Sequence, residues 1–152
     1  MNLYPDTTFF LALRFFDDTH HETATEFYEA RGDETFIWSP WHRVEVSNAL
    51  RQFALGDQPV VSAGDARRII HRLETDVRVG YFLHMEADWR DVLRTAYEIS
   101  AEHAFSFHCR SADLLHVAYA KELAADSFIS FDKAQVELAR AAGLQAILVR
   151  RN

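Results

Sequence analysis

Apolar residues along this chain switch between two spacings, and the switches mark out its elements. Asn2 to Pro5 reads as a short first strand ending at Asp6. Thr7-Thr8 then leads into an apolar helix through Phe9, Leu11, Leu13, Phe15 and Phe16. Thr19 with Glu22 has the spacing of a capping box, opening a second helix with Ala24, Phe27, Tyr28 and Ala30 on one face and Gly32 at its end. Thr35 to Trp38 is a strand. Ser39-Pro40 supplies a cap and a first-turn proline for a third helix, whose buried side is expected to carry Val44, Ala49, Leu50 and Phe53. Gly56 to Pro59 is a loop, and Ser62 caps a fourth helix running to about Leu73 with Ile69, Ile70 and Leu73 inward.

Val77 to Met85 fits neither spacing, with extended character in Tyr81-Phe82-Leu83. Trp89 to Phe105 is a long amphipathic helix carrying Val92, Leu93, Ala96, Tyr97 and Ile99. From Ser111 the order is helix, strand, helix, strand. Leu114, Leu115, Val117, Ala118 and Leu123 recur at helical spacing, and Phe128 to Phe131 is extended. Val136, Leu138, Ala139 and Ala142 are closed off by Gly143, and Ala146 to Val149 is extended again. Ser111 is placed to cap the first of these helices. Such an order implies a parallel sheet with right-handed crossovers. The expected class is α/β, a three-layer α/β/α sandwich around a short central parallel sheet. Residues 1–152 are expected to form a single domain, without repeats or linkers.

Composition narrows the function. Hydrophobic residues make up 49% and charged residues 26% of the 152, ordinary for a soluble globular protein. A lone cysteine, Cys109, offers no internal disulfide and reads as an inert thiol. Neither a secretory signal nor a membrane span is visible, so a cytoplasmic location is expected. The net charge of −7 argues against a broad basic face for nucleic acid, but a carboxylate cluster that binds divalent metal would itself lower that charge.

Four acids stand out by position. Asp6 and Asp132 end strands, Asp113 opens a helix, and Glu45 lies within a helix between Val44 and Val46. Asp132 followed by Gln135 also suits a helix cap, and Asp113 is favoured by the helix dipole alone. Glu45 has no such ordinary explanation, since a carboxylate on an apolar helix face is costly unless paired or bound to a cation. Acids at strand ends and helix starts of one parallel sheet can meet at the carboxyl edge, and oxygen-only ligands select Mg²⁺ or Mn²⁺. The histidines show no HxH or HExxH spacing. His116, inside an apolar helix, reads as a core histidine, while His20-His21 reads as solvated and His103 and His108 as helix-end residues.

Tyr4-Pro5-Asp6-Thr7-Thr8-Phe9, Val44 to Leu50, Arg110 to Ala118 and Ser130-Phe131-Asp132 together resemble the ordered motifs of PIN-domain ribonucleases, and within that group VapC-type toxins of toxin–antitoxin modules. The resemblance covers essentially the whole chain. It implies that Asp6, Glu45, Asp113 and Asp132 form an acidic metal-binding quartet, with supporting hydroxyls at Thr8 and Ser130. Ser130 stands where threonine is more usual. The implied activity is a Mg²⁺- or Mn²⁺-dependent endoribonuclease cleaving RNA, usually a homodimer and inhibited by a cognate antitoxin protein. Arg110 would contact RNA phosphate or pair with one of the acids. The alternative is a catalytically silent PIN-like interaction module acting through dimerisation and antitoxin binding. A phosphohydrolase of the haloacid dehalogenase type fits less well, because it wants a second Asp where Thr8 stands.

Overall fold

The computed structural model describes residues 1–151. In chain order the elements are β1 (Asn2–Pro5), α1 (Thr7–Arg14), α2 (His21–Glu29), β2 (Thr35–Trp38), α3 (Pro40–Phe53) and α4 (Ala63–Val79). There follow β3 (Leu83–His84), α5 (Trp89–His103), α6 (Ser111–Glu122), β4 (Ser127–Ser130), α7 (Lys133–Ala141) and β5 (Ala146–Leu148). The strands form one sheet in the order β3-β2-β1-β4-β5, every pairing parallel. Period-two alternation divides the core between two faces. Leu3, Phe36, Trp38 and Ile129 pack against residues of α1 to α4. Tyr4, Ile37 and Phe128 pack against α5, α6 and α7. The expected α/β/α sandwich is what the chain forms.

Caps settle where the helices begin. Asp6 accepts from the Phe9 amide at 3.0 Å to open α1. Ser39 and His42 close a reciprocal capping box on α3, with Pro40 in the first turn. Asp132 accepts from the Ala134 and Gln135 amides and opens α7. Two expected caps are corrected. His20, not Thr19, precedes α2, and no side chain caps it. Ser111 is already inside α6, where Asp113 reaches back to accept the Arg110 amide at 2.7 Å.

Three expected core positions face outward: Val44 is 59% exposed, Leu93 55% and Tyr97 75%. In α3, Val46 and Leu50 take the inward stripe, which turns Val44 away. In α5, Val92, Ala96 and Ile99 fill the seam against α6, where the Trp89 ring also meets Tyr119 edge-on, so Leu93 and Tyr97 turn to the outward side. The fourth helix continues past Leu73 to Val79, ending at Gly80 with φ +88°, and the extended pair falls at Leu83–His84. No helix among the described residues is long and apolar enough to cross a membrane.

Candidate functional site

All strands run parallel, so the ends of β1 and β4 and the starts of α1 and α7 share one edge of the sheet. Asp6 and Asp132 stand at that edge, joined through one hydroxyl. Ser130 Oγ donates to Asp6 Oδ2 at 2.6 Å and accepts from the Asp132 amide at 2.8 Å. Asp6 is 2% exposed and also accepts from Thr8 Oγ1, at 2.8 Å to Oδ1. Burial pushes its carboxyl above the ordinary value, and the bonds from Ser130, Thr8 and Phe9, with the charge of His116, offset this only in part. Among the described residues no Lys, Arg or His forms an ion pair with Asp6; hydrogen-bond donors hold its carboxylate, and His116 acts on it only from beyond contact distance.

Glu45 projects from α3 into a second set of partners. His116 Nε2 lies 2.5 Å from Glu45 Oε2, and the Thr7 hydroxyl donates to the same oxygen. Burial alone would raise this carboxyl. The hydrogen bond and charge of His116, the Thr7 hydroxyl and the more distant Arg110 outweigh it and hold Glu45 below the usual range. His116 is 2% exposed, with Nδ1 3.1 Å from Tyr4 Oη and Nε2 3.0 Å from Thr7 Oγ1. Because Thr7 spends its one proton on Glu45, His116 Nε2 must be the donor toward Thr7 and Glu45. Behind it lies His42, whose Nδ1 accepts the Ser39 amide at 2.9 Å and whose Nε2 donates to Pro5 O at 2.7 Å. Burial, then the neighbouring His116, drives the His42 pKa well down against the opposing Pro5 bond, which keeps the ring neutral.

Asp113 is half-buried, one turn before His116 on α6. Arg110 covers it, with Nη2 3.3 Å from Oδ1, and the guanidinium also feels Glu45 and Asp132. The acids therefore share an electrostatic neighbourhood. No three His, Cys, Asp or Glu side chains among the described residues close into a ready cation sphere.

The PIN domain family pattern matches residues 3–141. The chain belongs to the PIN domain family. This PIN domain has the fold of VapC-type toxins. It superposes on Mycobacterium tuberculosis VapC20, a Sarcin-Ricin loop cleaving toxin, with a TM-score of 0.70 and 18% identity, covering 98% of this chain and 99% of that one. The Rickettsia felis complex VapBC2, bound to a DNA fragment from its promoter, gives a TM-score of 0.66 at 11% identity, covering 97% and 98%. VapBC-1 of nontypeable Haemophilus influenzae gives 0.65 at 13% identity, covering 97% of both chains. No curated protein matches the PIN domain by sequence.

Carboxylate oxygens are the donors that hard divalent cations take, and a buried Asp6 without a cationic partner is the environment such an ion relieves. The donor set fits a divalent metal in chemistry. Thr7 and His42 are site residues that pattern reading passes over, and His116, read there as a core histidine, is buried but turned to Glu45. The signal for His116 was present: a polar ring on an apolar helix face needs a partner, as does Glu45, and each supplies the other's.

Proposed function

We propose that this PIN domain is the toxin component of a VapBC-like toxin–antitoxin pair, acting as a metal-dependent endoribonuclease. The observation that carries the reading is Asp6, a buried carboxylate held in place by Ser130, Thr8 and the Phe9 amide at the carboxyl edge of the sheet. Asp6, Glu45, Asp113 and Asp132 would hold Mg²⁺ or Mn²⁺. The ion would supply a water of lowered pKa and stabilise charge on the leaving oxygen.

The chain's own part is positioning. Ser130 and Thr8 fix the Asp6 carboxylate, and Thr7 and His116 fix that of Glu45. Arg110, 82% exposed at its side chain, exchanges Asp113 for an RNA phosphate. Homodimerisation is supported by the outward pair Leu93 and Tyr97 on α5, which a second copy would cover. A protein antitoxin is supported by the complexes that share the fold. It is supported too by a hollow of about 480 Å³ between the end of α1 and the start of α4, which combines Phe16, Val60 and Ile69 with Arg68 and Arg72.

The test is cleavage of total RNA in Mg²⁺ or Mn²⁺, with EDTA and Asp6→Ala as controls. Cutting that needs metal and is lost in the variant is the expected result. Cutting at wild-type rate by Asp6→Ala and Asp113→Ala overturns the site assignment. No cutting by folded protein favours the silent interaction module.

A further inference from the structure

A column of stacked rings runs from the core to the surface beside the acids. Phe36 stacks on Phe9 with centroids 5.7 Å apart, and Phe9 on Phe131 at 6.1 Å. Phe131 stacks on His20 at 4.5 Å with the planes 15° apart. The first two rings are fully buried and the last is exposed, so the column ends in an aromatic face turned to solvent. His20 caps no helix with its side chain and forms no side-chain hydrogen bond among the described residues, so the ring has no structural task beyond this stack. Phe131, beneath it, is the chain neighbour of both Ser130, which holds Asp6, and Asp132.

His20 and Phe131 line a hollow of about 330 Å³ between the start of α2 and the end of β5. Arg150 and Arg151 enter it from the chain after β5, and Thr19 and Thr23 bring hydroxyls. Arg151 pairs with Glu22 at 3.0 Å, whereas Arg150 forms no ion pair among the described residues. Two arginines converging on an aromatic step are notable in a chain whose net charge is −7. A flat π-face, an unpaired guanidinium and nearby hydroxyls are the elements that hold a nucleotide of single-stranded nucleic acid. The base stacks, the phosphate pairs, and a ribose hydroxyl finds partners.

We infer that this hollow is a nucleotide subsite for single-stranded RNA flanking the acids, with a base on His20 and its phosphate on Arg150. This rests on the ribonuclease reading above and adds where the strand lies. A protein segment in the same hollow is the competing occupant, but it has no need of a continued ring column.

The test measures binding of a short fluorescein-labelled single-stranded RNA in EDTA, and its cleavage in Mn²⁺, for wild type, His20→Ala, His20→Tyr, Arg150→Ala and the control Arg94→Ala. His20→Ala is expected to weaken binding and raise KM about ten-fold with kcat little changed, and His20→Tyr to restore both. Arg150→Ala is expected to weaken binding and to flatten the salt dependence by about one phosphate contact. Arg94→Ala, on exposed α5, should match wild type. RNA constants equal to wild type in both His20→Ala and Arg150→Ala would overturn the subsite, hand the hollow to a protein segment, and leave the ribonuclease reading standing. A folded wild-type chain that neither binds nor cuts RNA overturns both.

Discussion

His116 Nε2 sits 2.5 Å from Glu45 Oε2 across 71 positions of sequence, and this one contact ties α6 to α3 at the acidic edge. Removing the ring leaves the buried Tyr4 hydroxyl with only a 3.3 Å contact to Ser39 Oγ, and Glu45 with Thr7 alone. His116→Ala should therefore cost about 2–3 kcal/mol, read as a fall of about 5–10 °C in Tm. Cleavage measured well below the lowered Tm should fall as well, because Glu45 loses its fixed orientation. An unchanged Tm would show that the contact carries no stability.

Asp6 and Glu45 should respond to pH with opposite signs. Burial raises the Asp6 carboxyl above its ordinary 3.8, so its charged form costs stability, and that cost grows as pH rises past 3.8 and through the folded value. His116 and Thr7 hold Glu45 below its ordinary 4.5 despite burial, so its contribution is complete above 4.5 and is lost as pH falls through the folded value. At neutral pH, Asp6→Asn should thus melt above wild type, the gap closing in acid. Glu45→Gln should melt below wild type, its gap closing in acid too. Thermal scans from pH 3 to 8 check both, and gaps independent of pH would contradict both (about one carboxyl titration is at stake in each).

Arg14 Nε and Asp76 Oδ2 form a largely buried pair at 2.7 Å, with the guanidinium 5.3 Å from the Phe82 ring centroid. Asp76→Ala leaves that guanidinium unpaired between α1 and α4. A loss of about 3 kcal/mol is expected in urea unfolding, with the midpoint shifted and the slope unchanged.

Helices α6 and α7 end alike, but with different residues. Gly143 closes α7 at φ +88° through bonds from Gly143 to Arg140 O and Leu144 to Ala139 O. Ala124 closes α6 at φ +48° through the equivalent bonds to Lys121 O and Ala120 O. An alanine held in the left-handed region is strained, so Ala124→Gly should raise stability by about 0.5–1 kcal/mol. A melting comparison of the two proteins decides it.

Much of the fold was legible because the strands are short apolar runs closed by acids, as in Leu3 to Asp6 and Phe128 to Asp132. What stayed hidden depends on tertiary neighbours. Val44 and Val46 have the same local hydropathy, and only the placing of α4 and the sheet decides that Val46 is buried. Leu93 and Tyr97 match the spacing of Val92, Ala96 and Ile99 well enough that the side facing α6 cannot be chosen from pattern. For the candidate site, the acids showed by position, whereas the ring and hydroxyl partners that orient them lie scattered over Tyr4, Thr7 and His116. The sheet order, with β1 in the middle, was likewise fixed by pairing between distant segments.

That central place of β1 bears on how the chain comes into being. Asp6 receives its Ser130 bond across 124 residues, and Asn2 bonds Asp126 over the same span. During synthesis from the N-terminus, the first strand can pair with β2 early, but its acid lacks the Ser130 bond until β4 has emerged. A nascent chain therefore carries an incomplete site until Ser130 has been made, and the acidic edge assembles only after that point.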